Sequence, residues 1–313
     1  MNKKPMVSVV MITYNHEKYI KQAIEGILIQ ECNFDIELII SNDASSDQTH
    51  SKIEQIIKTY KGPISIKYYN HSDNKGMMKN FVWSLNQANG KYIALCEGDD
   101  YWTDPYKLQK QVDFLEANPD FVLTSHNAMI INEQNQLIKE KKVNINEEKI
   151  YTKEELKKGA FILTLTMCFR NIIKTYPKEV YGVKNGDTFL ISLLGNYGKG
   201  KFMPEIIPAV YRVHSGGVWS QSNTKDRIET KRNTFLRLHQ YYSRIKDNEM
   251  SFYFKKKYIA LSGNYVEVVH ENGNILKIIF QHILNKDSKY KIPSVLYFFG
   301  KLFKFKFFKT NLK

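Results

Sequence analysis

The sequence predicts an α/β fold: a mostly parallel, twisted, doubly wound sheet flanked by helices, followed by a basic helical C-terminal extension. Three observations lead there. Runs rich in Val and Ile alternate four times with amphipathic stretches in residues 6–131. Most of the runs end in polar clusters where hairpin turns would otherwise stand. The excess positive charge lies almost entirely behind residue 224.

The elements follow in order. Residues 6–13 (MVSVVMIT) are apolar on both faces, as a buried parallel strand requires. After TYN, the stretch HEKYIKQAIEGILIQ carries Ile20, Ile24, Ile27 and Leu28 at helical spacing. Residues 35–41 (DIELIIS) form the second strand. NDASSDQT then makes a polar turn in which Ser45, Ser46 and Asp47 are suited to cap the next helix. Ile53, Ile56, Ile57 and Tyr60 give that helix its apolar face. The third strand is 64–69. DNKG leads into a helix bearing Phe81, Leu85 and Ala88, ended by Gly90. The fourth strand is 91–96, the next helix 106–117 with Asn118-Pro119 as its stop, and 121–131 is a further single strand. Residues 132–149 are polar and Lys/Glu-rich, an exposed loop or hairpin. Residues 164–170 are strand-like, 185–198 helical, 202–213 extended, and the chain is helical from about residue 225. Two domains are expected, 1–222 and 223–313.

Composition narrows the class. The chain has 313 residues, 42% of them hydrophobic, enough for a substantial core. Cys32, Cys96 and Cys168 are too few and too scattered for a disulfide framework or a zinc site, which fits a reducing cytosol. Lys3 and Lys4 precede a short apolar run, but no small-residue cleavage site follows, so a signal peptide is not expected. No apolar stretch reaches the ~18–20 residues of a membrane span. The net charge is +14; residues 225–313 hold 19 Lys and Arg against 7 Asp and Glu. After Asp287 there is no acidic residue, and lysines alternate with Tyr and Phe. Such a tail suits an anionic bilayer surface, which implies a peripheral, cytoplasmic-side location. Single-stranded nucleic acid is the competing partner, since aromatics beside cations also stack on bases.

In open α/β sheets, ligands bind beyond the carboxyl ends of the strands. Three polar groups gather there: Thr13-Tyr14-Asn15, Asn42-Asp43, and Glu97, Asp99 and Asp100 in ALCEGDDYW. Neither a P-loop nor a GxGxxG turn is present. Two carboxylates about 4 Å apart repel by roughly 4 kcal/mol at an effective dielectric near 20. A hard divalent cation shared with substrate phosphate oxygens would offset that repulsion. Without a metal, the same carboxylates argue against nucleic acid as the partner, because they would repel its phosphates.

Four segments in order, VSVVMITYNHEKYIKQAIEGIL, IISNDASSDQT, NKG…N…A…GKYIALCEGDDYW and NGDTFL with YRVHSGGVW downstream, resemble glycosyltransferase family 2, with its GT-A fold. The resemblance covers roughly residues 6–220. It implies a nucleotide-sugar donor, with UDP as the common carrier. Thr13, Tyr14, Asn15, Asn74 and Gly76 would line the donor site, and Asp43 would accept a hydrogen bond from the base. Glu97-Gly98-Asp99 stands where the family has Asp-x-Asp, with Glu97 towards the ribose and Asp99 on Mn2+ or Mg2+. Asp100 would ligate the metal or support its ligands, and His214 would be a third ligand. Arg212 would reach the diphosphate and Trp219 would cover a sugar. Asp187 would be the base that deprotonates the acceptor hydroxyl. The processive Gln-x-x-Arg-Trp signature is absent, which implies transfer of one sugar, with inversion, to a glycan or lipid-linked acceptor in cell-surface polysaccharide synthesis. A sugar-phosphate nucleotidyltransferase is the alternative enzyme; TYNHEKY lacks the glycines its phosphate loop normally has.

Overall fold

A computed structural model of the chain describes residues 4–145, 147–217 and 222–270, with side chains through 262. Trp219 and the Lys/aromatic tail beyond 270 lie outside the described residues. The chain divides into two compact units, 1–221 and 222–313.

The first unit is built on an eight-stranded sheet. Its strands are β1 (Val7–Thr13), β2 (Ile36–Asn42), β3 (Ser65–Asn70), β4 (Tyr92–Leu95), β5 (Phe121–Ser125), β8 (Lys149–Tyr151), β9 (Cys168–Arg170) and β10 (Lys199–Phe202). Their spatial order is β3-β2-β1-β4-β9-β5-β10-β8. β3, β2, β1 and β4 are parallel; β9 is antiparallel to β4 and β5, and β8 to β10. A second sheet, in the order β11-β6-β7, holds β6 (Ala128–Ile131), β7 (Leu137–Lys139) and β11 (Ala209–Arg212). The connecting helices are α1 (Ile20–Leu28), α2 (Thr49–Thr59), α3 (Met77–Asn86), α4 (Lys107–Ala117), α5 (Lys153–Lys157) and α6 (Gly186–Leu194).

The core sits where the apolar periodicity places it. Val7, Val9, Met11, Leu38 and Ile40 meet Ile20, Ile24 and Ile27 from α1 and Ile53 from α2, all fully buried. Leu108, Val112 and Leu115 of α4 extend this layer towards Trp102. Burial of a side chain of this size contributes about 1.5–3 kcal/mol.

Three expected elements are split. Residues 121–131 are two strands in two sheets, because the chain turns at His126-Asn127. There Asn127 Oδ1 accepts from the Ala128 and Val143 N–H groups (2.9 and 3.0 Å), and its Nδ2 donates to Val143 O. One side chain thus supplies the pairing that a continuing strand would have supplied. Residues 202–213 likewise leave β10 and re-enter the small sheet as β11, with Pro204 and Pro208 between. Prolines carry no N–H for a ladder. In 164–170, residues Thr164–Thr166 form a short 3-10 turn before β9 begins. Residues 132–149 contain β7, which pairs with β6 as a hairpin.

Glu37 is the charged residue at the centre of the parallel strands. It is 2% exposed on β2. Its carboxylate accepts from Ser8 Oγ (2.5 Å) and the Asn89 N–H (2.8 Å) and pairs with Lys67 Nζ (2.6 Å). Burial pushes its pKa up, but those partners more than offset burial and hold it below the usual value. Glu37→Gln is expected to destabilise by about 2 kcal/mol at pH 7. The deficit should be full above about pH 4.5 and shrink as the pH falls through the lowered folded-state value. Urea titrations of both proteins between pH 3 and 7 check this.

The second unit begins with two helices, α7 (Thr224–Arg244) and α8 (Asn248–His270). Asn223 caps α7, its side chain accepting from the Asp226 N–H. Leu238, Tyr242 and Phe254 are buried between the two, with the rings of Tyr242 and Phe254 stacked. No helix among the described residues is long and apolar enough to cross a membrane.

Candidate active site

The crevice forms where β1, β2 and β4 deliver their polar ends side by side. The loop after β1 and the loop after β2 are latched to each other. The Asn15 N–H donates to Ser45 Oγ, and Asn15 Oδ1 accepts from the Ser46 N–H, both at 2.9 Å. Asp47 accepts from the Glu17 N–H with one oxygen and from the Thr49 N–H with the other. The capping role expected of this turn therefore falls to Asp47, while Ser45 and Ser46 serve the latch. Asn15 and Ala44 both take left-handed backbone conformations, at φ 56° and 58°. For alanine that conformation is strained.

Asp43 is 3% exposed, and its two oxygens accept from the Lys75 and Gly76 N–H groups at 2.7 and 3.0 Å. Asn74 Oδ1 also accepts from the Gly76 N–H. Gly76 sits at φ 82° with open space around it, which glycine tolerates without a steric penalty. Asp43, Asn74 and Gly76 thus come together, with Asp43 fixing the loop that starts α3. Tyr14 stands 47% exposed on the rim, and Thr13 is buried beneath it.

The acidic turn after β4 is held from below and behind. Gly98 packs so closely on Thr13 that an added Cβ would lie 2.6 Å from Thr13 Oγ1 and 2.9 Å from His16 Nδ1. Gly98 is there for that close approach. Asp100 is 4% exposed and accepts from the Arg212 N–H at 2.9 Å. Asp100 is thus a brace for the turn and stands outside the ligand cluster expected for it. Arg212 also departs from expectation. Its guanidinium donates to Asp99 O, Asn132 O, Asn135 Oδ1 and Gln22 Oε1 and is 3% exposed. With four protein acceptors, it fastens β11 to the acidic turn.

Asp99 meets two imidazoles. Its Oδ2 lies 2.9 Å from His214 Nε2 and 3.9 Å from His16 Nε2. One ligand atom from each of the three residues falls within 4.8 Å of the others. Burial pushes the Asp99 pKa up, but His16 and His214 more than offset it and hold it below its ordinary value. Burial lowers that of His16, against the opposing pull of the Asp99 charge. Sequence reasoning ranks His16 as an ordinary helix-start residue; its place directly after TYN was the available signal.

Glu97 is different. Its Oε2 is buried with no hydrogen-bond partner. Burial, and then the charge of Asp99, push its pKa up to about 8. The Asp187 charge adds to this. Asp187 lies in the first turn of α6 and accepts from the N–H and hydroxyl of Thr188. Burial raises its pKa as well. Lys142 faces Asp100, Glu97 and Asp187 with its ammonium over the Tyr211 ring, and burial pulls its pKa down to about 8. A lysine inside KEKK looks like a solvated surface charge, and nothing local marks it for the site.

An orphaned carboxylate oxygen, a neighbouring carboxylate and two imidazoles are a donor set that fits a divalent cation. A mostly parallel sheet flanked by helices, with such a set at its carboxyl edge, has the architecture of the GT-A fold. The chain belongs to Glycosyl transferase family 2, whose profile matches residues 8–176. It is 34% identical over 221 residues to an uncharacterised protein of Mycobacterium tuberculosis, a match covering 71% of this chain and 62% of that one. It is 32% identical over 129 residues to TuaG of Bacillus subtilis, a putative teichuronic acid biosynthesis glycosyltransferase, covering 41% and 49% of the two chains. Among solved structures, residues 1–349 of S. aureus TarS in complex with UDP-GlcNAc superpose with a TM-score of 0.57 at 18% identity, over 84% of this chain and 81% of that one. The mannosyltransferase PcManGT of Pyrobaculum calidifontis, in complex with GDP-Man and Mn2+, gives 0.53 at 15% identity over 95% and 84%.

Proposed function

We propose that this glycosyltransferase moves one sugar from a nucleotide-diphosphate sugar, UDP-linked in the first instance, to a hydroxyl of a glycan or lipid-linked acceptor, with inversion. The observation that carries the reading is the pairing of Asp99 and His214, two residues from the buried, unpartnered Glu97 carboxylate oxygen. The nucleoside would rest among Tyr14, Asn15 and the loop of Asn74 and Gly76 that Asp43 fixes. Because Asp43 already accepts two backbone N–H groups, its part in base recognition would be to shape that loop. Glu97 would contact the donor ribose.

Asp187 would accept the proton of the acceptor hydroxyl as it attacks the anomeric carbon, its raised basicity suiting it to the task. A divalent cation, Mn2+ or Mg2+, held by Asp99 and His214 would supply the counter-charge for the departing diphosphate. Asp100 and Arg212 would keep those ligands in place from behind. TuaG, with its teichuronic acid role, supports a cell-surface polysaccharide acceptor. The Lys/aromatic tail supports peripheral contact with an anionic cytoplasmic membrane face, where a lipid-linked acceptor would be met.

Thermal unfolding with UDP- and GDP-sugars, with and without Mn2+ or Mg2+, tests the reading. A ligand at a hundredfold excess over Kd stabilises by about 2.7 kcal/mol. Asp99→Asn is expected to lose the metal-dependent part of that gain. If no nucleotide sugar shifts the transition under any metal condition, the reading fails.

A further inference from the structure

The metal reading above rests on Asp99 and His214, a pair that needs the nucleotide's own oxygens to complete a shell. The structure adds a third protein donor. His16 follows β1 directly, on a loop held by its N–H donating to Thr49 Oγ1 at 2.9 Å. Its Nδ1 lies 3.2 Å from Thr13 Oγ1, and Thr13 is 2% exposed. With the Nδ1 proton given to that hydroxyl, Nε2 turns its lone pair towards Asp99. The 3.9 Å separation from Asp99 Oδ2 is too long for a hydrogen bond. It is a separation that two ligands of one cation can adopt, each about 2.1 Å from it. The His16 and His214 rings stand edge to face, 5.9 Å between centroids, with the Asp99 carboxylate serving both. A cation on His214 Nε2 would take the place of the proton now shared with Asp99.

We propose that His16, Asp99 and His214 form a two-histidine, one-carboxylate site that binds a first-row d-block divalent cation (Mn2+, Co2+ or Zn2+) before any nucleotide arrives and discriminates against Mg2+. Two imidazoles disfavour Mg2+, which demands near-ideal octahedral oxygen geometry and dehydrates reluctantly, relative to the first-row d-block ions, which accept nitrogen ligands more readily. Three protein donors also leave the remaining positions open for substrate oxygens, as catalytic sites require. Gly98 is part of the device: its missing side chain lets the Asp99 turn approach His16. The inference rests on the glycosyltransferase site proposed above and deepens it.

Mn2+ titration of the full-length protein without nucleotide, followed by electron paramagnetic resonance of the free ion, tests it. One Mn2+ per chain should bind, and about a hundredfold excess of Mg2+ should leave most of it in place. His16→Ala should weaken Mn2+ by more than about 10-fold and narrow the preference over Mg2+. His16→Gln, which keeps a polar side chain beside Thr13, should do the same, and is read if the alanine variant does not fold. Asp99→Asn should abolish binding. If Asp99→Asn abolishes binding while both His16 variants keep wild-type affinity and selectivity, His16 is no ligand and the two-residue site stands. If wild type binds Mn2+ only with UDP present, the nucleotide-free site is overturned and the transferase reading survives. If Asp99→Asn leaves Mn2+ binding intact, both fall.

Discussion

Asp187→Asn is expected to lower kcat by about 10³-fold while leaving donor binding unchanged, as general-base contributions of 10²–10⁴ imply. The side chain sits in the first turn of α6, accepting from the Thr188 N–H and hydroxyl, and an amide oxygen can keep both bonds. The variant therefore removes basicity and little else. A helix N-terminus favours a nearby anion, but burial dominates here and raises the pKa. The pH profile follows from that sign. Activity needs the carboxylate form, so the acidic limb of kcat/KM should lie above the ordinary carboxylate range and vanish in the variant. Steady-state rates from pH 5 to 9, with donor affinity measured separately by calorimetry, decide the matter. A variant that turns over at the wild-type rate removes Asp187 as the base. One that loses donor affinity in step with rate makes it a binding residue.

The parts of this molecule that were legible in its sequence are those decided within a few residues. Val7–Thr13 and Ile36–Asn42 are apolar on both faces because helices cover both sides of a parallel sheet, and that signature is local. The polar clusters at the ends of β1, β2 and β4 were legible for the same reason, and the crevice follows from topology. What remained hidden depends on partners far along the chain. The split at Asn127 rests on Val143, sixteen residues on. Arg212 reads as a ligand-facing arginine until Gln22, 190 positions earlier, is brought against it. Asp99 and Asp100 look equivalent in sequence. They diverge because the Arg212 backbone claims one and two imidazoles claim the other. His16 gained its significance only when β11 delivered His214 to the same carboxylate.

The wild-type protein should gain about 3 kcal/mol of stability relative to Lys107→Met between pH 7.5 and 10.5. Lys107 opens α4 and is fully buried. Its ammonium donates to Gln111 Oε1 at 2.7 Å and lies 3.9 Å from the centre of the Trp102 ring, and it forms no ion pair among the described residues. Burial pulls its pKa down to about 8, against about 10.4 in the unfolded chain. Between those values the unfolded chain holds a proton that the folded chain has released, so raising the pH favours folding. The shift of roughly two units corresponds to about 3 kcal/mol, all of it a penalty at neutral pH. Methionine has no proton to lose, so the difference between the two proteins isolates this group from tyrosines and surface lysines. At pH 7 the two effects of the substitution oppose each other. The charged-burial penalty disappears, while Gln111 Oε1 loses its donor at a cost of about 1–3 kcal/mol. The sign at neutral pH is thus set by Gln111, whereas the slope with pH is set by Lys107 alone. Paired urea unfolding curves at pH 7.5, 9 and 10.5 measure that slope; parallel stabilities for the two proteins would mean that the buried lysine releases its proton no earlier than in the unfolded chain, and would overturn the lowered value.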